Sequence, residues 1–236
     1  MATLKNFIDQ IVIDNGLSGN VNFPASRITR MVNLAQRYVQ MQLNGLGMKK
    51  WENSLAITTG LGQKLSDGQF AGQAVKVFDI SATIPSMAES PKAIKFIEVS
   101  DTTVTPNVFG LAFEIGENNF LENVTNSFMT PTVKNSKFMR LSGRVFIAPN
   151  SITNATIHYY KTVQDLVNDN DISEVPQEFD SQILKSVQIE LDAILGKLND
   201  KQSAINQLDK DIASQWDKFL GKQAVNQQAN NTQQLQ

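Results

Sequence analysis

"YYKTVQDLVNDNDISEVPQEFDSQILKSVQIELDAIL", Tyr159 to Leu195, joins two kinds of chain. Its aromatic opening has the composition of a strand end. From Thr162 to Leu184 the stretch carries six acidic residues, Asp165, Asp169, Asp171, Glu174, Glu178 and Asp180, and no basic one. Pro176 suits the first turn of a helix, where its missing N–H would be unpaired anyway. Glu174, Glu178 and Asp180 put negative charge beside the positive end of that helix. Beyond them Phe179, Ile183, Val187, Leu191 and Leu195 share one arc at helical spacing. The stretch reads as a strand, an acidic linker and an amphipathic helix, and so predicts an α+β chain.

Upstream, "SLAITT", "AVKVFDI", "AIKFIEV", "NVFGLAFEI", "KFMRLSG", "RVFIAP" and "ATIHYYK" are short runs rich in Val, Ile, Phe and Thr, separated by Gly, Pro, Asn and Asp. They predict an antiparallel β domain, with a hairpin turning at Ser142-Gly143. Before Trp51 the period is helical. Leu4, Phe7, Ile8, Ile11 and Val12 form a first stripe that Asn15-Gly16 stops, and Ile28, Met31, Val32, Ala35, Tyr38, Val39 and Leu43 a second that starts after Pro24. Arg30 and Arg37 lie opposite that second stripe. After Asn199-Asp200 a further helical pattern carries Ile205, Leu208, Trp216, Phe219 and Leu220, with Gly221 as its C-cap. The last fourteen residues contain nine Gln or Asn and are expected to be disordered or to fold on a partner. The predicted organisation is N-terminal helices of a bundle over 1–50 and an inserted antiparallel β domain over 51–161. An acidic linker and C-terminal bundle helices span 162–221, and a Gln/Asn-rich tail spans 222–236.

The 236 residues, 41% of them hydrophobic and 19% charged, suffice for a sizeable core. A net charge of −2 gives no nucleic-acid footprint over the whole surface. The absence of cysteine removes a disulfide framework, a thiolate zinc site and a cysteine nucleophile. The N-terminal segment lacks the basic and apolar regions of a signal peptide, and no run reaches the roughly 18 apolar residues of a membrane span. A soluble, cytoplasmically made protein with no membrane partner is the expectation.

Motifs of catalysis are few. His158, the only histidine, lies in a predicted strand with no nucleophile-elbow sequence to serve. "GLGQKLSDG" at 60–68 lacks the Lys-Ser/Thr ending and following helix of a phosphate loop. "DNDISE" at 169–174 begins like a calcium loop, but Glu174 stands where Gly is needed and Asp180 where a bidentate Glu is needed. The triplets at Asn123 and Asn154 match the glycosylation pattern, which has no meaning without a signal peptide. Neither enzymatic activity, cofactor nor metal is expected. The charge pattern carries more. Gly16 to Lys50 holds five basic residues, including Arg30 and Arg37, and no acidic one. Arg30 and Arg37 on one copy, facing Asp165, Asp169, Asp171 and Glu174 on the next, would make a heterologous subunit interface.

The order of features is similar to a known family. An amphipathic helix with paired Arg is followed by a Gly turn and Trp51, then strands, the "SGRVFIAP" hairpin, the "ATIHYYK" strand, the acidic linker and "VPQEFDSQILKSVQIELDAIL". This order resembles the head-to-tail adaptor (connector ring) proteins of short-tailed phages, over roughly Ser26 to Leu195. The abundance of Asn, Gln and Lys is similar to that of crAss-like phages with stacked ring proteins in their tails. The resemblance implies a structural virion protein in a homo-oligomeric ring of about twelve copies. It implies a place beneath a portal protein, around the DNA channel, with a further tail or ring protein as neighbour and only non-specific proximity to DNA. It also implies that the C-terminal segment docks on the portal. Trp216, Phe219 and Leu220, an apolar cluster at helical spacing before the tail, either provide that docking on the portal or a neighbouring ring, or, for Trp216 and Phe219, close the bundle core. Two other readings stand beside it. One is a carbohydrate-binding or adhesin-like module, which predicts exposed aromatics on the sheet. The other is a hydrolase with paired carboxylates.

Overall fold

Helix α1 spans Leu4–Asn15. Thr3 caps its start by accepting from Asn6 N–H at 3.3 Å, and Gly16 ends it at φ 62°, in the left-handed region glycine enters without strain. Helix α2, Ala25–Gly45, begins after Pro24 and buries Ile28, Met31, Val32, Ala35, Val39 and Leu43. The structure describes residues 2–58, 75–79, 94–126, 128–141 and 144–233; it is a computed structural model. These residues form two compact units. One comprises Met1–Lys50 with Val163–Gln236, and the other Trp51–Thr162.

In the first unit the chain from Val163 to Val175 forms no helix and no strand of a sheet. It runs instead as a strap along α2, whose side-chain amides take the place of a partner strand. Gln40 Oε1 accepts from Val163 N–H at 3.1 Å, and Gln36 Nε2 donates to the Gln164 carbonyl at 2.9 Å. Asn33 pairs with both the N–H and the carbonyl of Leu166 at 2.9 and 3.0 Å. Gln36 and Gln40 are as buried as the apolar stripe, which is tolerable only because their polar atoms are hydrogen-bonded. The strap also caps α1: the carbonyls of Asp171 and Asp169 accept from Leu4 and Lys5 N–H at 2.9 and 3.0 Å. A 3₁₀ turn, Gln177–Phe179, then leads into α4, Asp180–Ile194. Asp200 accepts from Ser203 N–H at 3.0 Å at the start of α5, Lys201–Gln233, a helix about 50 Å long.

The described residues of Trp51–Thr162 form a seven-stranded sheet in the order β1-β7-β3-β4-β5-β6-β2. The strands are β1 Glu52–Thr58, β2 Lys76–Asp79, β3 Ile94–Asp101, β4 Val108–Glu114, β5 Asn135–Leu141, β6 Arg144–Ala148 and β7 Asn154–Tyr160. Between β4 and β5 lies α3, Glu117–Thr125, and this crossover lets β4 and β5 pair in parallel. One face of β3 to β7 feeds a single apolar cluster around Ile97, Phe138, Ile147 and Ile157. A second cluster holds α3, through Phe120, against Met139, Phe146 and Ala148. The strand pairing Leu141↔Arg144 makes β5–β6 a hairpin; Ser142-Gly143 and the glycine loop at 60–68 lie outside the described residues.

The α+β class holds, but the predicted architecture needs correction on two counts. The sheet is mixed rather than antiparallel, because α3 returns the chain in parallel register. No helical bundle is shown: α2 is flanked by an irregular strap as well as by helices, and its buried face is in part amide. Nor does Gly221 end the last helix, which continues to Gln233.

Candidate functional site

The acidic strap is largely spent within its own copy. Arg37 Nη2 donates to both oxygens of Asp165, at 2.8 and 2.9 Å. The Asp171 carboxylate accepts from Val167 and Asn168 N–H at 2.7 and 2.8 Å, and these backbone bonds hold it below the usual carboxylate range. The Glu174 carbonyl accepts from Lys50 Nζ. Of the six interface candidates, Arg37, Asp165, Asp171 and Glu174 thus make contacts inside the unit. Asp169 and Arg30 are exposed, and among the described residues neither forms an ion pair.

What those contacts leave is a rigid loop with apolar tips. Val167 is 74% and Ile172 52% exposed, on either side of Asp169. At 100° per residue, Asn33, Gln36 and Gln40 occupy the strap flank of the α2 stripe, Arg27, Leu34 and Tyr38 the other flank, and Arg37 and Arg30 the back between them, about 20° apart. On that second flank α2, α4 and α5 enclose a groove of about 490 Å³, lined by Leu34, Met31, Ile189, Ile194 and Ile205 with Arg30 at its wall. Deeper in, the Tyr38 hydroxyl donates to Asp209 at 2.5 Å; burial, reinforced by that carboxylate, pushes the phenol up to about 12. Sequence reading missed this groove. Leu34 was the available signal, an apolar residue outside the buried arc and between two arginines.

Trp216 faces inward. It is buried, stacks on Phe219 at 5.6 Å between ring centroids, and Phe219 meets the buried Phe179 at 6.0 Å. Leu220 alone of the three docking candidates is exposed. The aromatic pair therefore ties α5 to the 3₁₀ turn.

On the outer face of the sheet, His158 stacks on Phe96 at 4.2 Å, and its Nε2 lies 3.5 Å from Glu98 Oε2, too long for a good hydrogen bond. Beside them Lys95 pairs with Glu52 at 2.6 Å, a contact that holds the ammonium above its ordinary range. Among the described residues no group of three His, Cys, Asp or Glu could hold a metal ion, and no helix is long and apolar enough to cross a membrane. On the same sheet face Phe109, Leu111 and Phe113 of β4 stand exposed in alternation, and Lys137 Nζ sits 5.3 Å from the Phe113 ring centroid. The geometry supplies a mainly apolar groove with arginine at its wall, an apolar-tipped loop and an aromatic sheet stripe. No family model matches the chain, and no curated protein matches it.

Proposed function

We propose that this protein is a structural virion subunit. In this reading it is a head-to-tail adaptor whose copies close into a ring beneath the portal, surround the DNA channel and join capsid to tail. The resemblance of element order supports this reading. The observation that carries it is the pair of unlike surfaces on one unit, an Arg-walled apolar groove and an acidic loop with apolar tips, on different flanks of α2. Unlike surfaces that fit one another are what a cyclic, heterologous assembly needs. His158, stacked on Phe96, fits a structural strand residue. The test is negative-stain imaging of the purified protein alone and mixed with the portal protein of the same phage. Closed rings seated on the portal are expected; assembled particles holding this chain outside any cyclic ring would overturn the reading.

A second reading has its own observation. The exposed Phe109, Leu111 and Phe113 stripe is the kind of surface a sheet-borne binding module would present. In that case the purified chain binds a polysaccharide as a monomer, and a Phe109→Ala, Phe113→Ala variant loses that binding while ring formation never occurs.

A further inference from the structure

We infer that the groove between α2, α4 and α5 is the socket for the strap loop of a second copy of this chain, with Val167 and Ile172 entering it and Arg30 facing Asp169. The inference rests on the ring reading above and assigns that ring its contact. The first argument is shape and polarity. The groove is mainly apolar and open, with Leu34 54% and Ile194 48% exposed, a cost that burial against another surface would recover. The strap offers two exposed aliphatic side chains on one short loop. Charge is the second argument. Other acids of the loop are already committed, Asp165 to Arg37 and Asp171 to the Val167 and Asn168 N–H groups. Asp169 remains for a cation from outside, and Arg30 lines the groove wall together with Arg27, while the acid of that lining, Glu190, is already paired with Lys201 at 2.8 Å. Opposite charges at the edge of such a contact set its register and orientation more than its strength.

Preorganisation is the third. Asn33 fixes Leu166 from both sides, Asp171 fixes the next two N–H groups, and the loop carbonyls cap α1. The loop therefore loses little freedom on docking. These anchors also hold it on the Asn33 flank of α2, away from the Leu34 flank, so the occupant of the groove is the loop of another copy. Each copy then has one socket and one plug. A chain of such contacts grows beyond a dimer until it closes.

The natural chain has no cysteine, so engineered thiols report on this contact alone. An Ile194→Cys protein is mixed with a Val167→Cys protein under mild oxidation, and each is also oxidised by itself. The mixed disulfide dimer is expected to form at least about tenfold faster than either homodimer, because docking raises the effective concentration of the two thiols. Adding Arg30→Glu to the Ile194→Cys partner should remove that advantage, and adding Asp169→Arg to the Val167→Cys partner should restore it. Circular dichroism of each variant confirms that it is folded. If the mixture cross-links no faster than the controls while unmodified chains still close into rings on the portal, this contact is wrong and the ring reading stands. If the mixture shows no preference and no rings form, both fall.

Discussion

Gly110 sits in β4 where an added Cβ would lie 2.0 Å from the Val133 carbonyl oxygen, a backbone atom that cannot swing aside as a side chain can. Overlap of that size forces the crossover after α3 to shift. Gly110→Ala should therefore lower unfolding free energy by about 2–4 kcal/mol, read from the urea midpoint. An unchanged midpoint would show that the Val133 segment yields at no cost. Tyr38 makes a prediction in alkali. Its folded pKa of about 12 exceeds the unfolded value of about 10, so the neutral phenol is favoured by folding. That contribution is complete below about pH 10 and is lost between about 10 and 12, as the unfolded chain ionises first. A Tyr38→Phe protein lacks the component, and its stability should fall less steeply across that window. Parallel stability curves for the two proteins would count against the Asp209 contact.

At the scale of elements, the strap poses a choice between its ion pair and its amides. Arg37 and Asp165 are both well exposed, at 36% and 45%, and such pairs contribute about 0–1 kcal/mol. Gln40 instead satisfies a Val163 N–H in a fully buried setting, and leaving that group unpaired costs about 1–3 kcal/mol. Gln40→Leu should thus destabilise the protein more than Arg37→Ala in the same thermal melt. The reverse ranking would mean that the pair, not the amide, holds the strap. These residues also show what could be read in advance. The seven β-rich runs were legible because Val, Ile, Phe and Thr concentrate in them and Gly, Pro, Asn and Asp separate them. The polar stripe Asn33, Gln36 and Gln40 was not, because hydropathy takes a hydrogen-bonded buried amide for a solvent-facing one. Helix α3 escaped because it has nine residues and buries only Phe120. A length clue was present: twenty residues separate Glu114 from Asn135, more than a hairpin needs and enough for a parallel crossover. The stop placed at Gly221 failed because one glycine costs a helix only about 1 kcal/mol and the glutamines around it are good helix formers. Of the candidate site, the charges were legible. Their partners were not, since a pairing of Arg37 with Asp165 spans 128 positions.

For the whole molecule, the division into units is itself testable. The Trp51 carbonyl accepts from Lys161 N–H at 3.0 Å, so the two ends of the sheet unit meet. A fragment spanning 51–162 should fold alone and unfold cooperatively; a spectrum with the narrow amide dispersion of an unfolded chain would refute this. The helical unit has the opposite character, because Gln40 must find Val163 and Asn15 must find Gln188, contacts across 123 and 173 positions. During synthesis the first two helices leave the ribosome long before the residues that complete them. At about 5–20 residues per second, the interval before the strap emerges is on the order of ten seconds. For that time α1 and α2 expose their apolar stripe and buried amides to water, while the sheet unit, contiguous in the chain, can already have folded. Until residues 163 to 166 arrive, the side-chain amides of Asn33, Gln36 and Gln40 have water in place of their strap partners, so the order of synthesis makes the strap the last piece of the seam that α2 needs.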